Sequence, residues 1–308
     1  MLISGHRVGR SDLLNVQEYI LKCDADFRQR LYLVADKVAE AFLHKKGIGI
    51  VSLAGPTCSG KTTAAAMLAE RLERDGREVH IISIDDFYYD RDYLHALSAA
   101  KGTDKIDYDS EETIDLGALE AFVNEALSGE LAQGPVFDFK TGGRAGYRTV
   151  HSGEGDVFIF EGIQAIYPKV TALLAPFGAV SVYIAPLSAI TYGEQTFLPD
   201  EIRLMRRIVR DANFRAASAD FTMMLWDGVR ENEELNIFPN ALKCTYRIDS
   251  THNYELGVLR PYLEKLLRTV PKQSAHYGDA MKILERISDV APIDSELIQD
   301  DSLYKEFV

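Results

Sequence analysis

The stretch IGIVSLAGPTCSGKTTAAAML, residues 48–68, decides how this chain folds. Residues 48–54 form an almost unbroken apolar run of strand length, and a helix-forming stretch begins at Lys61. Between them Gly55, Gly60, Lys61 and Thr62 fit G-x-x-x-x-G-K-[ST], a loop that wraps phosphate. The glycines let backbone N–H groups turn toward phosphate oxygens with no Cβ in the way. The helix that follows adds unpaired first-turn N–H groups and partial positive charge. A lysine at this position reaches the β and γ phosphates, and the threonine hydroxyl beside it suits Mg²⁺. The loop residues Gly55, Pro56, Thr57, Cys58, Ser59, Gly60, Lys61, Thr62 and Thr63 are therefore the expected nucleotide site. The alternative is a glycine turn that holds no nucleotide.

Working outward, short segments rich in Val, Ile, Phe and Tyr recur at 77–85, 155–163, 179–186 and 243–250. Helical stretches at 61–74 and 115–129 alternate with them, the second closed by Gly129. Near-continuous apolar strands alternating with helices predict an α/β fold, a doubly wound parallel sheet of the phosphate-loop type. Ligands bind such sheets at the carboxyl ends of the strands. Ahead of the first strand, DADFRQRLYLVADKVAEAFLHKKG (24–47) sets Phe27, Leu31, Val34, Val38 and Phe42 on one helical face. Residues 1–47 are expected as an N-terminal helical extension to a larger domain at 48–308. Within that domain a lid is expected at about 190–218, and a helical tail at about 273–308 that docks on the N-terminal helix.

At 308 residues, with 46% apolar and 26% charged residues, the chain can bury a full globular core. A net charge of −13 argues against nucleic acid as a partner. Cys23, Cys58 and Cys244 show no metal-ligand spacing and read as reduced thiols of a cytoplasmic protein, with Cys58 a small filler in the loop. The N-terminal residues lack the apolar core of a signal peptide, and no run is long and apolar enough for a membrane span. The seven histidines form no ligand cluster. A small-molecule substrate is expected, and a homo-oligomer stays open.

Three further features fall where a ligand of the loop would lie. Asp85 and Asp86 end the second strand in SIDDFYYD; a carboxylate there can take a proton from a hydroxyl or hold Mg²⁺, or cap the next turn. Glu161 ends VFIFEGI, the place of a second metal-side carboxylate. Arg203, Arg206, Arg207 and Arg210 share one helical face in IRLMRRIVRDANFR, suited to bidentate contacts with phosphate. The alternative is a solvated helix paired with the chain's acidic surplus. DKID at 104–107 lacks the first residue of a guanine-reading motif, so a GTPase is not expected.

Taken in order, GPTCSGKTT, SIDDFY, YDSEETID (108–115), PVFDFKTGGR (135–144), FEGI and RLMRRIVRD resemble the uridine kinase/phosphoribulokinase family. The similarity runs over about 48–268 and is greatest to bacterial uridine-kinase-like nucleoside kinases, a subgroup that includes proteins with an added TGS domain. No segment of TGS length is present here. The resemblance implies ATP held by the loop with Arg203 and Arg207, and Mg²⁺ served by Thr62, Glu161 and Asp85. It implies Asp85, Lys61, Arg206 and Arg210 in catalysis, and Tyr88, Asp109, Phe137, Asp138 and Arg144 around the acceptor, with Asp109 on the ribose hydroxyls. True uridine kinases carry P-x-Y-D-F-x-T-H-x-R, whose Tyr and His read the base; Phe137 and Gly142 stand there here. A site without those polar contacts loses discrimination for pyrimidines.

The expected activity is ATP- and Mg²⁺-dependent transfer of a γ-phosphate to a hydroxyl, foremost the 5′-hydroxyl of a nucleoside. A sugar-phosphate kinase and a non-catalytic nucleotide-binding regulator are the alternatives.

Overall fold

The computed structural model describes residues 5–8, 15–43, 47–103, 106, 108, 110–129 and 131–308, the side chains of His6 and Arg7 excepted. In chain order the first half holds β1 (Gly5–Val8), α1 (Val16–Phe42), β2 (Gly49–Ala54), α2 (Lys61–Glu73), β3 (Val79–Ser83), α3 (Arg91–Ala100) and α4 (Leu116–Ser128). Then come β4 (Leu131–Asp138), β5 (Gly143–His151), β6 (Val157–Glu161), α5 (Pro168–Leu174), β7 (Val180–Ala185), β8 (Ala189–Tyr192) and β9 (Gln195–Phe197). The chain continues through α6 (Pro199–Arg215), α7 (Ala219–Asn232), α8 (Phe238–Ala241), β10 (Tyr246–Asp249), α9 (Glu255–Leu267) and α10 (Tyr277–Ile287).

The central sheet has the order β10-β7-β2-β6-β3, and every pairing in it is parallel. Its middle strand, β2, is buried throughout, with Val51 and Leu53 in one core cluster and Ile50 and Ala54 in the other. Alternate residues thus feed two cores, which is why the run is apolar without a break. β6 lies between β2 and β3, with Glu161 beside both Leu53 and Ser83. The loops after β2, β3 and β6 therefore emerge side by side at one edge.

Two smaller sheets were not expected. β4 and β5 form an antiparallel hairpin, and β1 pairs in parallel with β8, itself joined to β9. α1 also begins earlier than the sequence pattern suggests, at Val16. There Asn15 accepts the Glu18 N–H at 3.3 Å while its own amide donates to the Glu18 carboxylate at 3.0 Å, a reciprocal cap. The helix ends at Phe42, and residues 44–46 of the expected helix lie outside the described residues.

The expected lid segment, 190–218, is the β8–β9 hairpin and α6. Ile202, Met205, Ile208 and Val209 of α6 are buried with Leu259, Leu263 and Leu284 of α9 and α10. In this structure the segment packs on the body. The tail is helical only in α10 and two short turns, Ser295–Leu297 and Leu303–Glu306. It docks on α1: Arg28 pairs with Asp301 at 2.8 Å, and the Ser302 hydroxyl donates to Asp24 at 3.3 Å. Among the described residues no helix is long and apolar enough to cross a membrane. The three cysteines are free.

α1 packs through Phe27, which is 1% exposed, while Leu33 on the same helix is 55% exposed. Phe27→Ala should cost about 3–5 kcal/mol by leaving a cavity, and Leu33→Ala within about 0.5 kcal/mol. Urea denaturation of both variants checks this; equal effects would contradict the helix's placement.

His252 is enclosed by the rings of Phe27, Tyr254 and Tyr304 at 4.9, 5.5 and 5.2 Å. Burial first, and then the Arg206 charge, push its pKa down to about 3. The unfolded chain, with an ordinary imidazole near ~6.5, binds the extra proton first as pH falls. The stability from keeping His252 neutral is therefore full above about pH 6.5 and is lost below it. From pH 7 to 5 the unfolding free energy should fall with a limiting slope of about 1.4 kcal/mol per unit from this group. His252→Asn should flatten that slope; an unchanged slope would contradict the assignment.

Candidate active site

The phosphate loop is built by close approach. A Cβ on Gly55 would stand 2.1 Å from the Ile184 carbonyl oxygen of β7 and 2.6 Å from Ser59 Oγ. Gly60, at φ 88°, makes the left-handed turn that starts α2. Ser59 is 1% exposed, and its hydroxyl has no hydrogen-bond partner among the described residues. An orphaned hydroxyl in a loop that opens a helix fits an anion such as a phosphate group. Lys61 folds back, with Nζ 3.4 Å from the Pro56 carbonyl oxygen. The Thr63 N–H is already used: it donates to Glu306 Oε1 at 2.9 Å, and so does the Thr63 hydroxyl.

Three residues with oxygen donors stand at the ends of elements that emerge beside the loop. Thr62 is on the first turn of α2, Glu161 ends β6, and Asp85 follows β3 by two residues. A Cβ on Gly162 would lie 2.9 Å from Ile84 and 3.6 Å from Asp85 Oδ1, so glycine after Glu161 lets the β3 and β6 ends close together. Asp86 is separate. It accepts the Phe137 N–H at 3.0 Å and pairs with Arg148 at 2.8 Å, fastening the β4–β5 hairpin to the sheet. Among the described residues no group of three His, Cys, Asp or Glu could hold a metal alone. Two carboxylates and a hydroxyl beside a phosphate site fit Mg²⁺, which is held by few protein ligands plus phosphate oxygens.

The arginines divide, and two stand elsewhere than expected. Arg203 is 2% exposed and pairs with Glu233, with its guanidinium over the Trp226 ring at 5.3 Å. It binds α6 to α7 and does not face the loop. Arg206 is wholly buried. It donates from Nε to Glu255 at 2.7 Å and to Tyr304 Oη at 3.1 Å, from Nη2 to the Ser250 carbonyl at 2.8 Å, and from Nη1 to the Cys58 carbonyl at 3.2 Å. Burial opposes its charge, yet Glu255 and Tyr304 outweigh that and hold its pKa above the ordinary arginine value. It steadies the phosphate loop from behind. Arg207 and Arg210 both pair with Asp211, at 3.3 and 2.7 Å, and Arg210 Nη1 reaches Thr57 Oγ1 at 3.4 Å. A count of helical spacing could not show which arginines had buried carboxylates waiting.

The acceptor side is aromatic. Phe137 is 7% exposed and meets Tyr88 and Phe139 edge-on at 5.7 and 5.1 Å. The Tyr88 hydroxyl donates to the Tyr108 carbonyl at 3.0 Å and accepts from Gln164 Nε2 at 2.9 Å. Two expected polar contacts are committed elsewhere. Asp138 closes the hairpin turn, accepting first the Lys140 N–H and then the Thr141 hydroxyl, which hold its carboxyl below the usual range. Arg144 pairs with Asp115 at 2.7 Å, tying the hairpin to the start of α4. Asp109 lies outside the described residues, as do Asp104, Lys105 and Asp107 of the DKID segment. Gln164, fully buried, was missed, although a lone amide just after an apolar strand is a visible signal.

Removing Arg206 alone would leave Glu255 enclosed without a cation. Arg206→Met should cost about 3–5 kcal/mol of folding stability. A loss under about 1 kcal/mol on urea denaturation would contradict the buried pairing.

Comparisons with known proteins show the family. Residues 50–245 match the model of the Phosphoribulokinase / Uridine kinase family. A uridine kinase of Lactobacillus helveticus is 29% identical over 171 residues, 56% of this chain and 71% of that protein. One from Mycoplasma genitalium is 29% identical over 184 residues, 60% of this chain and 76% of that protein. The solved structure of the YGR205w protein has the same fold, with a TM-score of 0.50 and 16% identity over 68% of this chain and 86% of that chain. With strand order, phosphate loop and a match over more than half its length in agreement, the chain belongs to the phosphoribulokinase/uridine kinase family of P-loop kinases.

Proposed function

We propose that this kinase transfers the γ-phosphate of ATP, with Mg²⁺, to the 5′-hydroxyl of an uncharged nucleoside. The observation that carries the reading is that Thr62, Asp85 and Glu161 stand at the ends of neighbouring elements beside the phosphate loop. Asp85 would accept the proton of the attacking hydroxyl, and Lys61 and Arg210 would face the charge on the transferred group. Thr62 and Glu161 would hold the metal, with Asp85 in reach of it. Mg²⁺ bound there would offset phosphate charge. Arg206, enclosed behind the loop, would keep the Cys58 carbonyl in place instead of touching phosphate.

Two basic side chains near the acceptor wall are held in ion pairs. Arg144 pairs with Asp115 and Arg148 with Asp86, which lowers what either would gain from a substrate phosphate. The wall of Tyr88, Phe137 and Phe139 suits a flat base by stacking. These features favour a nucleoside over a sugar phosphate. Phe137 supplies no hydroxyl, so the choice among bases rests on shape more than on hydrogen bonds.

The test is ADP release from Mg²⁺-ATP against a panel of nucleosides and sugar phosphates. One nucleoside should raise turnover, and Asp85→Asn should lower kcat by about 10²–10⁴-fold while ATP still binds. ATP binding with no acceptor-dependent release would contradict the reading and favour a nucleotide-binding regulator.

A further inference from the structure

The end of the chain reaches the phosphate loop. Leu303 packs on Gly60 so closely that a Cβ there would stand 2.2 Å from Leu303 Cδ1. Tyr304 and Phe307 are fully enclosed; the Tyr304 hydroxyl bonds Glu255, and the Phe307 carbonyl accepts from Asn213 Nδ2 at 3.0 Å. Both rings lie against the Arg206 guanidinium, at 5.2 and 5.3 Å. Between these anchors Glu306 is half-buried, and its carboxylate takes the Thr63 N–H and hydroxyl.

That carboxylate is an anion seated on the first turn of a helix whose N-terminus, with its glycine loop, is built to receive phosphate. The Thr63 N–H cannot serve Glu306 and a phosphate oxygen fully at once. Two anions at contact distance also repel, most strongly where water is scarce.

We propose that Glu306 is an internal occupant of the phosphate loop that competes with nucleotide for Thr63. On this account, which rests on the nucleotide-binding reading above, the carboxylate leaves Thr63 when a triphosphate enters. Tyr304 keeps its hold on Glu255 and Arg206, while Phe307 gives up the Arg206 face and its bond from Asn213, so the displacement is confined to residues 305–308. Stored this way, the segment lowers nucleotide affinity until something draws Glu306 away.

The experiment uses the full chain and Mg²⁺-ATP. Calorimetric titration of wild type, Glu306→Gln and Glu306→Asp gives the affinity of each. Glu306→Gln should bind about tenfold tighter, the scale of ordinary coupling between sites, with Glu306→Asp near wild type. Hydrogen exchange of wild type, which needs no variant, should show faster exchange at residues 305–308 on adding Mg²⁺-ATP. Unchanged or weaker binding by Glu306→Gln, or a tail equally protected with ATP bound, would overturn the inference and leave the kinase reading standing. Absence of triphosphate binding in wild type and variants alike would overturn both.

Discussion

The buried pair of Arg206 and Glu255 holds the most of this structure together. Neither side chain touches solvent, and the pair joins four parts of the chain that are distant in sequence: the phosphate loop through Cys58, α6, α9, and the tail through Tyr304. A desolvated ion pair stabilises little by itself compared with an apolar replacement, but breaking it from one side is costly. Its contribution is therefore to specification. The loop's carbonyl at Cys58 and the seat of Tyr304 are both held by one guanidinium with no freedom to turn.

Much of the fold was legible because it follows from periodicity and spacing. Five strands of the parallel sheet, the helix after the loop and the apolar face of α1 were all visible, since each depends on residues close in sequence. What was not legible depends on distant partners. β1 forms by pairing with β8, and nothing in GHRV alone calls for a strand. β4 of the β4–β5 hairpin largely alternates buried and exposed residues, but the hairpin's proline, glycines and polar turn obscure the pattern.

The candidate site divides along the same line. The loop, Asp85 and Glu161 are each tied to a strand end, so topology alone brings them together. Asp85 and Asp86 are adjacent and chemically alike; only the hairpin's Arg148 and Phe137 N–H separate the structural carboxylate from the one that faces the loop's edge. Arg203 and Arg206 looked like phosphate ligands because Glu233 and Glu255 lie 30 and 49 residues away in sequence. Glu306 gave no local signal, being 243 residues from Thr63.

The proposed chemistry depends on metal and nucleotide meeting at the sheet edge, where Thr62 and Glu161 flank the loop. The most direct measurement is the affinity for ATP with and without Mg²⁺ in wild type and in Thr62→Val. The account predicts that Mg²⁺ strengthens ATP binding to wild type and that Thr62→Val loses this gain while still binding ATP without metal. An ATP affinity indifferent to Mg²⁺ in wild type would contradict it.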